Sequence, residues 1–266
     1  MILEERVIGC ELSDQINRFL YVEATSEEIP TVQLLPTGYV YFTVILGVPG
    51  KFCRDSDCIK LPHNFIGGPI TKPGIQIRTE ENYIHFGIEF HPWSMHEWLR
   101  LDLGTAENFF LRPDHEFFNR IQSVVKSEKF AFESTSDQLE QLLKREPKPQ
   151  KTDLSSAIRT IADMRGKVAI DDLAEKSGYS KRHFRRVFKK SFGISPKVYA
   201  MIVQLNTALS ILKKHDNSIN LDLAYEGGYY DEPHFVRRFK DLIGCSPAEF
   251  LEHPNEFLDT YLLRNS

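Results

Sequence analysis

Four cations, Arg182, Arg185, Arg186 and Lys189, stand at positions i, i+3, i+4 and i+7, the spacing that puts side chains on one face of an α-helix. Lys181 precedes them, and Phe184, Val187 and Phe188 fall on the opposite side. A helix built this way buries an aromatic ridge and presents positive charge. Arginine on such a face can donate two hydrogen bonds to guanine O6 and N7, a contact worth about 1–3 kcal/mol of discrimination, while lysine holds phosphate. The plain alternative is a solvated basic face, or a surface for protein contacts only.

A repeat argues against that alternative. Leu173, Ala174, Gly178, Tyr179, His183, Phe184, Arg186, Phe188, Lys189, Gly193, Ser195 and Pro196 recur as Leu223, Ala224, Gly228, Tyr229, His234, Phe235, Arg237, Phe239, Lys240, Gly244, Ser246 and Pro247. The offset grows from 50 to 51 after the Gly-Tyr pair, so one residue has been added in the second turn. Two similar supersecondary units are expected. The second keeps the aromatic side (Phe235, Phe239, Leu242) and changes the outer one: Pro233, Val236, Arg237 and Lys240 replace the four cations, with Glu232 beside them. A carboxylate at a base edge would favour a cytosine N4 donor.

A second group of chemically capable residues lies earlier. His85, Glu89 and His91 share one face of an alternating strand, with His96 nearby. Two imidazoles and a carboxylate suit a divalent metal, which opens a metal-dependent enzyme or metal sensor as the competing reading. Strand positions i and i+6 are about 20 Å apart, however, so His85 and His91 cannot share one ion on a regular strand. No metal site is expected; Glu89 and His91 are instead the candidates for a small polar effector, beside ordinary structural hydrogen bonding. Tyr39, Tyr41, Phe42, Trp93 and Trp98 either line an apolar pocket or form core. With no Gly-rich phosphate loop and no Gly-x-Ser-x-Gly elbow, no catalytic residues and no cofactor are expected.

The elements that must position these residues divide in two. Residues 1–150 carry 15 Lys and Arg against 22 Asp and Glu, a balance of −7, whereas residues 151–266 carry 18 against 15, or +3. The net −4 of the whole chain thus conceals a basic second half. Thr31–Leu35, Tyr39–Leu46, Phe65–Gly68 and Tyr83–Phe90 read as strands separated by Pro and Gly turns, and in the last of these Ile84, Phe86, Ile88 and Phe90 form the single core face. Trp93–Leu101, Asp114–Val125 and Ser136–Arg145 read as helices, the last two with apolar stripes that must pack on the strands or on a partner. Residues 146–151, with Pro147 and Pro149, read as a linker between a domain at 1–145 and one at 152–266. Helices follow at Asp153–Arg165, Ile170–Ser177, Lys181–Phe192, Pro196–Lys214, Leu221–Glu226, Glu232–Ile243 and Pro247–Glu252. Ser180 and Asp231 are placed to cap the two cationic helices, and Gly193 and Gly244 to end them. At about 1.5 Å per residue, Pro196–Lys214 spans roughly 28 Å, close to the ~34 Å of one DNA turn.

Cys10, Cys53, Cys58 and Cys245 are too scattered for a disulfide framework or a zinc template, so free thiols are expected, with a Cys53–Cys58 pair across a hairpin as the alternative. The start, MILEERVIGCELSDQ, has no signal-peptide pattern, and no stretch approaches 18 apolar residues, which places the chain in the cytoplasm and away from membranes.

The segments LAEKSGYSKRHFRRVFKKSFGISPKVY and LAYEGGYYDEPHFVRRFKDLIGCSPAEF resemble the AraC/XylS family of bacterial transcription regulators across Leu154–Phe250. The resemblance implies a seven-helix domain that reads double-stranded DNA in the major groove, with Lys181–Phe192 and Glu232–Ile243 as recognition helices. Base readers carried over position by position are Arg182, Arg185 and Arg186, then Glu232, Pro233, Val236 and Arg237. Two residues depart from the pattern: Ala169 where a Ser-type cap is usual, and Gln204 where the linking helix usually carries arginine. LPTGYVYFTVIL, FIGGPITKP and HFGIEFHPW are similar, less sharply, to a degenerate cupin-type barrel of the family's sensor domains. The resemblance therefore implies an α+β chain: an N-terminal β-rich degenerate cupin-like domain with helices, and a C-terminal all-α double helix-turn-helix domain. It also implies a small-molecule effector, RNA polymerase and a second copy of the chain (a homodimer) as further partners.

Overall fold

The computed structural model describes residues 1–9, 11–214 and 228–252. Ten strands come first: β1 Ile2–Val7, β2 Ile16–Ala24, β3 Thr31–Gln33, β4 Val40–Ile45, β5 Lys51–Arg54, β6 Asp57–Lys60, β7 Asn64–Gly67, β8 Ile75–Arg78, β9 Tyr83–Phe90 and, later, β10 Phe110–Leu111. They form a six-stranded sheet ordered β1-β2-β9-β4-β7-β10 and a four-stranded sheet ordered β3-β8-β5-β6. The sheets share one apolar cluster, with Val22, Ile45 and Phe65 from the first facing Val32, Phe52 and Ile77 from the second. The helices α1 Ser94–Leu99, α2 Glu116–Val125 and α3 Phe132–Lys144 cover the other side of the larger sheet. There Phe86, Ile88 and Phe90 meet Phe117, Phe118, Ile121 and Leu139. The apolar stripes of α2 and α3 are thus packed on the sheet of this same chain.

Two expectations change. Strand β9 has no single core face: Phe86, Ile88 and Phe90 are buried against the helices, and His85, Gly87 and Glu89 are buried on the inner side. A strand central to a covered sheet buries both of its faces. Cys53 and Cys58, opposite each other in the β5–β6 ladder, are joined in a disulfide, so the expectation of free thiols fails for this pair, while Cys245 is a free thiol.

After residues 145–152, which are not helical, come α4 Asp153–Asp163, α5 Ile170–Lys176, α6 Lys181–Phe192, α7 Pro196–Lys214, α8 Glu232–Ile243 and α9 Pro247–Glu252. Thr152 opens α4 with a capping box: its hydroxyl accepts from the Ser155 N–H, and its own N–H donates to the Ser155 hydroxyl oxygen. Such reciprocal caps satisfy two donors that a helix start leaves free. The predicted helix Leu221–Glu226 and Cys10 lie outside the described residues. Helix α7 serves two cores, giving Tyr199 and Ile202 to the cluster of α4, α5 and α6, and Leu205, Ala208 and Leu209 to the cluster of α8.

The two halves meet through Arg159 of α4. Its guanidinium pairs with Asp14 at 2.5 Å and with buried Glu97 at 2.9 Å, and lies 4.2 Å over the ring of Trp93. Gln15 donates to the same Glu97 carboxylate at 2.7 Å. A buried carboxylate this fully bonded is stable only while its partners remain, so Arg159 ties the strand-rich half to α4. No helix among the described residues is long and apolar enough to cross a membrane.

Candidate nucleic-acid interface

Helix α6 is fixed at both ends. The Ser180 hydroxyl accepts from the His183 N–H, and Gly193 ends the helix in the left-handed region at φ +81°, where a side chain would be strained. Phe184, Phe188 and Phe192 are buried; Lys181, Arg182, Arg185, Arg186 and Lys189 are all exposed. Asp171 on α5 accepts from Lys181 at 2.7 Å and from Arg185 at 2.9 Å. The Lys181 ammonium, and then Arg185, hold the Asp171 carboxyl below its usual range. Arg186 lies 3.3 Å from the His183 ring. Arg182 and Arg186 form no ion pair with a described residue. Lys189 is paired with Glu107 of the N-terminal half at 3.0 Å.

Helix α8 reproduces this construction. The Asp231 carboxylate accepts from the His234 N–H at 2.7 Å, and Gly244 ends the helix at φ +99°. Rings Phe235 and Phe239 stand 5.7 Å apart, as Phe184 and Phe188 do; Tyr229 meets His234 as Tyr179 meets His183. The repeat in the sequence is therefore a repeat in packing. Outward, Glu232, Pro233, Arg237 and Lys240 are exposed, whereas Val236 is half-buried against the α8 core, which leaves it less free to reach a base than Pro233 or Arg237. The residue added in the second turn is Tyr230, 82% exposed. The change of offset between the two copies is the sequence signal that locates this side chain.

The departures from the family pattern have visible consequences. Ala169 begins α5 without a side-chain cap. Gln204 on α7 donates to the Gly166 carbonyl at 3.3 Å, so it bonds the first unit internally.

The strand-rich half holds a cavity of about 130 Å³ between its sheets. Its wall is largely apolar, with Phe52, Phe65 and Phe110, and includes Arg18, Tyr39, Tyr41 and His85. Arg18 pairs with Glu89 at 2.5 Å and with Glu5 at 3.1 Å. Burial raises the Glu89 carboxyl, against the opposing pull of Arg18. The His85 ring is buried, its Nδ1 has no hydrogen-bond partner among the described residues, and burial pushes it down to about 4. It is neutral at pH 7. The effector candidates Glu89 and His91 do not line this cavity: Glu89 is held by Arg18, and His91 stacks on Trp93 at 4.7 Å while its Nε2 meets the Ser13 carbonyl at 3.1 Å. His96 lies elsewhere again, against Phe192 of α6. The strand places these groups in different surroundings because alternation fixes a direction and not a partner. Among the described residues no group of three His, Cys, Asp or Glu side chains is placed to hold a metal ion.

Residues 173–253 match a family model described as a helix-turn-helix domain. The probable transcription factor PqrA of Proteus vulgaris is 38% identical over 86 residues, covering 32% of this chain and 70% of that protein. An uncharacterized helix-turn-helix-type transcriptional regulator of Haemophilus influenzae is 36% identical over 81 residues, 30% of this chain and 27% of that one. The chain thus spans about a quarter to a third of the longer curated relatives. A crystal structure of ToxT from Vibrio cholerae O395, bound to (E)-4-(8-methylnaphthalen-1-yl)but-3-enoic acid, has a similar fold over 88% of this chain and 98% of that one, with a TM-score of 0.50 and 11% identity. With the duplicated cationic helix, its caps and its aromatic ridge in place, the chain belongs to the AraC family of helix-turn-helix transcriptional regulators.

Proposed function

We propose that this protein binds specific sites on double-stranded DNA through α6 and α8, placed in successive major grooves, under the control of a small molecule held between the two sheets. The observation that carries the DNA reading is the outer face of α6. It presents Arg182 and Arg186 unpaired with any described carboxylate, and Lys181 and Arg185 on a single exposed aspartate. Exposed ion pairs are worth only about 0–1 kcal/mol, so DNA phosphates can take these cations from Asp171 at little cost. On α8 the readers are Glu232, Pro233 and Arg237, with Lys240 for phosphate.

The cavity argues for an uncharged, mostly apolar effector with one hydrogen-bonding group. Arg18 is already matched by Glu5 and Glu89, so a further anion finds no surplus positive charge, while neutral His85 offers a ring nitrogen. ToxT was crystallised with an apolar acid; the present reading stands on the cavity's own residues. Leu35 and Thr37 line the cavity, Leu35 packs in the α8 core, and the Thr37 carbonyl accepts from Asn206 of α7 at 2.8 Å. Filling the cavity therefore bears on the helix that joins the two units. The test is selection of bound sequences from random duplexes with and without cell extract. Enrichment of a two-part site, altered by extract, is expected; no enrichment in either arm would overturn the reading.

A further inference from the structure

The C-terminal ends of both recognition helices rest on one short piece of the N-terminal half. At Gly193 an added Cβ would lie 2.9 Å from the Leu103 carbonyl oxygen and 3.0 Å from Pro69 Cγ; at Gly244 it would lie 2.8 Å from Pro73 Cβ. Gly193 and Gly244 are equivalent positions of the repeat, and Pro69 and Pro73 belong to the single connection between β7 and β8. One segment thus touches the same point of both units.

That segment is cross-tied to the loop before β10. The Thr71 N–H donates to Asn108 Oδ1 at 2.8 Å, Asn108 Nδ2 donates to the Thr71 hydroxyl at 2.8 Å, and that hydroxyl donates to Glu107 Oε1 at 3.1 Å. The second oxygen of Glu107 takes Lys189 of α6 at 3.0 Å. Alongside, the Leu103 N–H donates to the Lys190 carbonyl at 3.0 Å, and Asp102 lies 3.7 Å from the Lys190 ammonium. Glu107 therefore links the supporting segment directly to the first recognition helix.

These contacts do not cover the reading faces. Arg182 and Arg186 on α6, and Pro233 and Arg237 on α8, remain exposed. A contact that blocked DNA would lie over those residues. This one lies behind them, where it can fix how far apart and at what angle the two helices stand. Helix α7 joins the units at one side; a further point of support on the N-terminal half makes their separation rigid.

We propose that the N-terminal half acts as a two-point brace that sets the spacing of the two recognition helices on DNA, with Pro69, Pro73, Asp102 and Glu107 as its positioning residues. In this account Lys189 belongs to the brace and not to the phosphate contacts. The inference rests on the DNA-binding reading above. Two linked binding modules gain from each other only where their geometry lets both engage, so a rigid brace confers preference for one spacing between half-sites, and a loosened brace relaxes it.

The test uses the full chain and a series of duplexes carrying the two selected half-sites with spacers of different length. The wild type is expected to prefer one spacing by roughly tenfold or more over its neighbours. Pro73→Gly, and separately the double variant Asp102→Asn with Glu107→Gln, are expected to flatten that preference while keeping most of the affinity at the best spacing and an unchanged unfolding midpoint. The carboxamide variant changes only exposed or half-buried side chains, which keeps the test open should the proline variant fold poorly. Wild-type sharpness in that variant would overturn the brace, as would a uniform gain in affinity at every spacing, the signature of a cover. A wild type that binds no duplex would instead sink the DNA-binding reading itself.

Discussion

Helices α6 and α8 are built alike on the inside and differently on the outside. Both begin at an oxygen cap, carry two phenylalanine rings 5.7 Å apart and end at a left-handed glycine. Yet α6 exposes six cations, of which Lys189 and Lys190 pair with the N-terminal half, whereas α8 exposes Arg237 and Lys240 beside Glu232 and Pro233. The buried half of the pattern answers to packing, which is the same task in both units. On the proposed function the outer half answers to the base sequence beneath it, which would differ between the two units. The two units share a scaffold and differ in the residues they present outward.

The largest effects should come from the shared interior. Phe188→Ala and Phe239→Ala each empty a fully buried site, and each is expected to cost about 3–5 kcal/mol by denaturant unfolding. A cost below about 1 kcal/mol at either site would show that the two cores are not equivalent. Next come the outer faces. Arg186→Ala should lower discrimination at one base pair by about 1–3 kcal/mol, while Lys240→Ala should weaken all sequences alike and reduce the salt slope by about one. A change of base preference with Lys240→Ala, and none with Arg186→Ala, would reverse the assignment. The caps should give the smallest difference. Ser180→Ala and Asp231→Ala are each expected to cost about 0.5–2 kcal/mol. The Asp231 cap should be the costlier, because its carboxylate also meets the positive end of the helix and its bond is shorter, 2.7 Å against 3.4 Å. Thermal unfolding of the two variants side by side decides it.

The helices were more legible than the strands for a physical reason. Lys181–Phe192, Pro196–Lys214 and Glu232–Ile243 carry their own boundary signals in Ser180, Pro196, Asp231 and the two glycines, and the structure places them at those bounds. Strand β2 holds Arg18, buried by a partner 71 positions away, and such a pair leaves no local trace. The same holds for Arg159, whose partners Asp14 and Glu97 lie 145 and 62 positions away, and for Lys189, whose Glu107 lies 82 positions away. Helix α3 begins at Phe132, four positions before the apolar stripe suggested, since Phe132 itself packs in the core. The aromatic candidates divided by layer: Tyr39 and Tyr41 line the cavity, while Phe42 and Trp98 belong to the core beneath the helices.

The central claim is that two equivalent scaffolds carry unequal reading faces, with α6 the stronger anchor. It is tested most directly by measuring the affinity of the full chain for its selected site with each half-site scrambled in turn, the α6 half being the one whose base preference changes in Arg186→Ala. The account predicts the greater loss when the α6 half-site is scrambled. A greater loss from scrambling the α8 half-site would contradict it.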